Sequence, residues 1–367
     1  MPLNDAIRSK GPSPQWALLQ KPQVNLARAS SSRMWLISAC AGFAILQSSL
    51  SDSCASLLVA LAAVTGALLT ELLIDAFSGR LSAPPLAESP WGNYRDGSAV
   101  ASALALALLL PNRIPPFLAF LGAAFAMAVV KHSFGGLGAN WVNPALGSWL
   151  FVRFSWPVAF TNALGDSSLV FLTENLSGGF LQASDTFWAP LLNKTIFAFF
   201  RAELPPGYID LFSYSGPGII ADRGIFGFLL GTILIIAGQA SRFWISLCYL
   251  GTYCLLVRLF GAMPFGGDFG AGDMLLGLCS GGVLAAAFIL AAEPSTGPKS
   301  RPVTLAAAAL GGALSFVFRY LGFEPYGAFF AVALLNAFVP LFRCFETRFL
   351  YAGVSGETFQ AGANAKG

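Results

Sequence analysis

Residues 55–78 read ASLLVALAAVTGALLTELLIDAFS, a run without a basic residue and with Glu71 and Asp75 as its only charges. About 20 apolar residues cross a bilayer as a helix, so this stretch spans one. The rest of the chain agrees. Hydrophobic residues make up 56% and charged residues 11% of it, against about 45–50% and 25% in a soluble domain. So little charge cannot cover the surface of a soluble protein of this length. The 33 Phe, 8 Trp and 39 Gly suit interfacial anchoring and close helix packing.

Further apolar stretches cover about 34–50, 98–111, 115–131, 144–163, 225–240, 243–260, 273–292, 303–321 and 326–342. The expected fold is therefore an all-α polytopic membrane protein with about ten transmembrane helices. Charge supports an even count. With the polar, basic residues 1–33 inside as a cytoplasmic tail and no cleavable signal peptide, the inner turns carry Arg80 and Arg95, Lys131, Arg242, Lys299 and Arg301, and finally Arg343 and Arg348. That is the positive-inside pattern. The segment 164–224 then lies outside, with acids Asp166, Glu174, Asp185, Glu203, Asp210 and Asp222 against Lys194, Arg201 and Arg223.

Two glycine-rich strings resemble each other. Phe134-Gly135-Gly136-Leu137-Gly138-Ala139-Asn140 precedes the span from Pro144, and Phe265-Gly266-Gly267-Asp268-Phe269-Gly270-Ala271-Gly272 precedes the span from Asp273. Each follows two spans joined at a basic corner, Asn112-Arg113 or Ser241-Arg242. Five spans per half make two inverted repeats, a common transport scaffold. The expected division is a tail 1–33, a first membrane repeat 34–163, an extracytoplasmic loop 164–224, a second repeat 225–345 and a cytoplasmic tail 346–367. Non-helical backbone survives at membrane depth only when buried in protein or lining a cavity. The strings are thus either turns that pack the halves or the frame of a cofactor or ion path, which makes Gly135, Gly136, Gly138, Asn140 and Asn143 candidates.

Intramembrane acids are costly and functional by default. Glu71 and Asp75 share a helical face, and Glu71 is the candidate for an ion path; Asp75 is placed at the interface near Arg80. Asp268 and Asp273 flank the second string and either bind a cation or face a wet cavity. Catalytic and metal-ligating residues are not expected. The single His132 reads as interfacial and excludes bis-His haem. The six cysteines contain no CxxC pair and read as inert, buried thiols, with a cluster shared with another subunit left open. Neither a phosphate-binding loop nor a hydrolase triad can be assembled, and the formal charge of +3 is too small and too scattered for nucleic acid.

The run Asp96-Gly97-Ser98-Ala99, then Leu109-Leu110-Pro111, then Lys131-His132-Ser133-Phe134-Gly135-Gly136-Leu137-Gly138-Ala139-Asn140-Trp141-Val142-Asn143-Pro144-Ala145 resembles the D subunit of Rnf electron-transport complexes. That subunit is related to the B subunit of the sodium-pumping NADH:quinone reductase. Ala292-Glu293-Pro294 stands where the family usually has Thr-Asp-Pro, and the likeness continues through Tyr326-Gly327-Ala328-Phe329-Phe330-Ala331-Val332, Asn336 and Pro340. It covers roughly residues 30–345, and the short N-terminal tail favours the Rnf subunit.

The resemblance implies a subunit, without independent activity, of a translocase in the bacterial inner (cytoplasmic) membrane. Such a complex passes electrons between ferredoxin and NAD while moving Na⁺ or H⁺, so other Rnf subunits and membrane lipids are the expected partners. It also implies a flavoprotein with FMN esterified to the threonine of a D-x-x-S/T-G-A-T motif, with riboflavin as a further cofactor candidate. The motif is altered here. In one register, Glu174-Asn175-Leu176-Ser177-Gly178-Gly179-Phe180 puts Phe180 at the acceptor position; in the other, Asp185-Thr186-Phe187-Trp188-Ala189-Pro190-Leu191 puts Ala189 there. A family string of the form G-S-I-G-E-T is replaced by Gly218-Ile219-Ile220-Ala221-Asp222-Arg223. Three explanations stand side by side: FMN held non-covalently, a displaced hydroxyl such as Ser177, Thr186 or Thr195, or a flavin-free structural subunit. A stand-alone channel or transporter on the repeat scaffold is the alternative from a different class.

Overall fold

The computed structural model describes residues 16–51, 54–77, 97–133, 140, 142–165, 193–194, 198, 212, 217–238, 242–293, 295–346 and 348, with side chains from residue 31 onward. Among the described residues every regular element is helical, and extended backbone pairs in one isolated bridge. Among the described residues, five helices are long and apolar enough to cross a membrane: Ser31–Ser51, Ala55–Phe77, Phe243–Phe265, Arg301–Leu321 and Gly327–Phe345. The described part of the chain is all-α, and the chain is a multi-pass membrane protein.

Helix α1 (Trp16–Ser51) starts well before Met34, inside the stretch expected to be a polar tail. Helix α2 (Ala55–Phe77) coincides with the apolar run 55–78. It buries Ala60, Ala63, Gly66 and Ala67 and leaves Leu58, Leu61, Leu69 and Leu73 about half exposed. Small residues inside and large ones outside is the pattern of a helix between protein and lipid. Helix α3 (Ser98–Leu109) is short and almost wholly buried. Helix α4 (Pro116–Phe125) ends in a π-helical turn, Ala126–Lys131.

The stretch 144–163 is interrupted. Helix α5 (Pro144–Ser155) stops at Trp156, and α6 (Pro157–Leu164) begins on the next residue. Pro157 has no amide to donate and drives the residue before it out of helical backbone. The short α7 (Ile220–Arg223) leads into α8 (Ile225–Ala237), followed by α9 (Phe243–Phe260). The stretch 273–292 is also broken. Helix α10 (Met274–Leu278) gives way to a turn, and the helix resumes as α11 (Val283–Ala285) with a π-helical turn, Ala286–Leu290. Helix α12 (Arg301–Phe316) ends in a third π-helical turn, Val317–Leu321, before α13 (Gly327–Phe345).

Close packing explains part of the glycine content. Helix α2 lies along α4, and α9 along α12. A Cβ on Gly66 would stand 2.5 Å from the Phe120 carbonyl oxygen, and one on Gly312 would strike the Tyr249 carbonyl. Helix α1 lies along α8, where Gln47 donates to the Phe212 carbonyl (2.5 Å) and accepts from the Gly227 amide (2.6 Å). Trp149 of α5 is fully buried and meets Phe160, Phe329 and Phe330 edge-on. The cysteines do not behave as one class: Cys40 and Cys279 are buried, but Cys54 and Cys344 are exposed, which corrects the expectation of uniformly buried thiols.

Candidate functional site

Among the described residues, three polar clusters with buried or half-buried charged side chains lie within the apolar interior. The first joins α2, α3 and the end of α4. Lys131 Nζ donates to Glu71 Oε1 at 2.6 Å and to Ser98 Oγ at 2.8 Å, with the side chains of Lys131 and Glu71 only 5% and 4% exposed. His132 Nε2 lies 3.9 Å from the same carboxylate oxygen. The π-helical turn sets this up. His132 N donates to Met127 O at 3.0 Å, five residues back, and the extra residue in the turn changes the direction in which Lys131 leaves the helix. Two charges at this depth cost more to desolvate than an exposed pair returns, unless they bond each other well. Lys131, counted from sequence among the surface cations that orient the chain, is instead the buried partner of Glu71. Asp75 is buried too, and Arg80, expected near it, lies outside the described residues.

The second cluster holds the break between α10 and α11. Gly281 and Gly282 both have left-handed backbone (φ 65 and 66). A side chain on either would run into the Pro325 carbonyl or the Phe329 ring, so only glycine fits. The break leaves carbonyls at the end of α10 and amides at the start of α11 without helical partners. Arg319 meets the first set. Its guanidinium donates to Gly277 O (2.8 Å), to Ser280 Oγ (2.9 Å) and to the Tyr253 hydroxyl. Asp222 meets the second, accepting from Gly281 N at 2.9 Å and Gly282 N at 2.8 Å. A cation on the carbonyl end and an anion on the amide end both match the helix dipole. Neither residue was singled out from sequence as part of a site, although a cation inside an apolar run such as Val317-Phe318-Arg319-Tyr320-Leu321 is a signal.

The segment before Asp222 also reaches the first half. Ile220 N donates to Leu110 O (3.0 Å), Asn112 N donates to Gly218 O (2.8 Å), and Gly218 N donates to Asn112 Oδ1 (3.1 Å), forming an antiparallel bridge of Pro111 with Ile219. Residues 217–223 thus tie the end of α3 to the helix break.

In the third cluster, Asn143 Oδ1 accepts from Ala145 N (2.9 Å) and Leu146 N (3.4 Å), capping α5. Its Nδ2 donates to Glu293 Oε2 at 2.5 Å, and Ser295 donates to the other carboxylate oxygen at 2.7 Å. Burial pushes the Glu293 carboxyl above its usual range, against the pull of Ser295 and Asn143. The adjoining cavity is lined by Arg242, Glu293, Thr296, Thr304 and Asn336 among others. Nearby, Glu346 accepts from the amides of Lys299 (3.0 Å) and Ser300 (2.7 Å) and from the Ser300 hydroxyl (2.6 Å), tying the end of α13 to the start of α12.

The remaining candidates disperse. Asn140 is buried. Asp273 caps α10, accepting from Leu275 N (2.9 Å) and Leu276 N (3.1 Å), and Asp268 is exposed. Gly135, Gly136, Gly138, Ser177, Phe180, Thr186, Ala189 and Thr195 lie outside the described residues.

A family described as NQR2, RnfD, RnfE matches residues 18–351. The chain is 27% identical over 297 residues to the D subunit of the Na(+)-translocating ferredoxin:NAD(+) oxidoreductase complex of Acetobacterium woodii, covering 80% of this chain and 82% of that protein. It is 31% identical over 248 residues to the D subunit of the proton-translocating ferredoxin:NAD(+) oxidoreductase complex of Clostridium ljungdahlii, covering 67% and 72%. With the D subunit of the ion-translocating oxidoreductase complex of Shewanella amazonensis it shares 31% identity over 309 residues, covering 76% and 81%.

Proposed function

Because this chain belongs to the NQR2, RnfD, RnfE family, we propose that it is the D-type membrane subunit of an Rnf complex that couples electron transfer between ferredoxin and NAD to ion translocation. The match across residues 18–351 carries this reading. The chain acts as one part of an oxidoreductase, with the other Rnf subunits as partners, in the bacterial cytoplasmic membrane and with both termini inside. Relatives of similar identity are named for Na⁺ in one case and for protons in another, so membership alone does not select the ion.

In this reading about ten helices cross the membrane as two inverted sets of five. Helix packing supports it: α2 lies along α4 as α9 lies along α12, and both second helices end in a π-helical turn bearing a buried cation, Lys131 or Arg319. In this register α3 corresponds to the broken α10–α11. The Phe265 string then matches the segment before Gly97 rather than the Phe134 string. Glu71 is the ion-path carboxylate, and the clusters at Glu71 and at the α10–α11 break are where charge is stabilised at membrane depth.

The flavin that the family implies meets a different outcome. Phe180 and Ala189 carry no hydroxyl, so neither can be esterified to a phosphate, and covalent FMN at the usual position does not fit this chain. FMN is held non-covalently here or is absent, and no electron-transfer step is assigned to it. The absent acceptor favours, as a second reading, a flavin-free structural subunit within the same complex. Affinity purification of the tagged chain from its native membrane tests the main proposal. Co-purifying subunits with ferredoxin:NAD(+) oxidoreductase activity support it; a chain that purifies alone from intact membranes without that activity refutes it.

A further inference from the structure

Lys131 and Arg319 occupy corresponding places. Each lies in a π-helical turn that ends a helix and is buried. Each donates to a serine next to a left-handed glycine: Ser98 follows Gly97 (φ 69), and Ser280 precedes Gly281 (φ 65). Each also bonds a side chain on the helix packed against its own, Glu71 on α2 or Tyr253 on α9.

The two pockets differ in their oxygens. Lys131 faces a carboxylate and a hydroxyl, an oxygen set that suits a partly dehydrated monovalent cation. Arg319 faces one carbonyl and two hydroxyls and bonds all three at once. A guanidinium fork held at three points is fixed, whereas an ammonium is a compact charge on a flexible stem. Rotation about that stem can withdraw it.

From this contrast we infer that the Glu71–Ser98 pocket is a monovalent-cation site closed by the chain's own Lys131, and that Arg319 locks the corresponding pocket of the second half. The inference rests on the ion-translocation reading and names a site for it. A buried carboxylate needs a compensating charge, so Lys131 and an incoming Na⁺ exchange at Glu71 one for one.

The test uses the full chain purified with its partner subunits, with Na⁺ titrated against choline at constant ionic strength. Thermal unfolding and ²²Na⁺ equilibrium binding are the readouts. Lys131→Met is expected to gain a saturable Na⁺-dependent rise in Tm and one additional bound Na⁺ per chain. Lys131→Met/Glu71→Gln is expected to lose both gains, and Lys131→Arg to show neither. Lys131→Gln keeps hydrogen bonding to both oxygens and carries the same readout where Lys131→Met does not accumulate. A folded Lys131→Met or Lys131→Gln chain with no added Na⁺ response overturns the inference, as does a gain that persists in the double variant. No electron donor is present, so failure here is separate from failure of the redox reading.

Discussion

The carboxylate of Asp222 accepts from the Gly282 amide at 2.8 Å, across a helix break whose opposite end is held by Arg319. Asp222→Ala leaves the Gly281 and Gly282 amides without their acceptor and Arg319 without the nearby charge. Destabilisation of about 2–4 kcal/mol is expected, read as a lowered Tm of the purified complex. Asp222→Asn keeps an acceptor oxygen and should lose about half as much. Equal loss in both variants would show that the negative charge, rather than the hydrogen bonds, holds the break.

Asn143 joins the start of α5 to Glu293 beyond α11, so its two functions can be separated. Asn143→Ser keeps a capping oxygen but not the amide that reaches Glu293, and Asn143→Ala loses both. The alanine variant should cost about 1 kcal/mol more for the lost cap, measured by thermal unfolding of the two variants side by side.

Burial holds the Glu293 carboxyl above its usual range. Its ionised form is therefore disfavoured in the folded chain, and stability contributed by the group is lost as pH rises from the ordinary value through the raised one. Glu293→Gln should gain Tm over the native chain as pH rises above about 4.3, the unperturbed glutamate value. A Tm difference that does not change with pH contradicts this.

Glu346 has the opposite sign. Burial raises its carboxyl, but hydrogen bonds from the Ser300 hydroxyl, the Ser300 amide and the Lys299 amide, with Arg343 nearby, bring it below the usual range. Its contribution is present above the ordinary value and disappears as pH falls through the lowered one. Glu346→Gln should lower Tm near pH 7, and the difference should begin to shrink only as pH falls below about 4.3, the unperturbed glutamate value, as followed by a pH series of melts.

With no hydroxyl at Phe180 or Ala189, denatured and acid-precipitated chain should carry no flavin fluorescence. Fluorescence in the supernatant would identify a non-covalent flavin. Fluorescence that stays with the chain would mean that another residue, such as Ser177 or Thr186, is the acceptor.

Hydropathy was enough to place α2, because lipid selects the same apolar composition along the whole run from Ala55 to Phe77. It could not reveal the breaks at Trp156 and at Cys279–Gly282, since both halves of each broken helix are as apolar as a continuous one. Glu71 was legible as an acid inside a span. Its partner was not, because Lys131 at the end of an apolar run looks the same whether it faces water or turns inward on a π-helical turn. Asp222 reads locally as one more acid of the outer loop; only the fold places it against two glycine amides far along the chain. Asp273 reads from sequence as a cation ligand or a wet-cavity residue, whereas it caps α10; an acid just before an apolar run is the local signal for that role.

The most direct measurement is ion uptake by inverted membrane vesicles given reduced ferredoxin and NAD(+). Uptake is predicted to require both reactants, to stop when the gene for this chain is deleted, and to fall strongly in Glu71→Gln while the variant still assembles. Ion transport by the isolated chain in liposomes, without any redox partner, would contradict its place in a redox-driven complex.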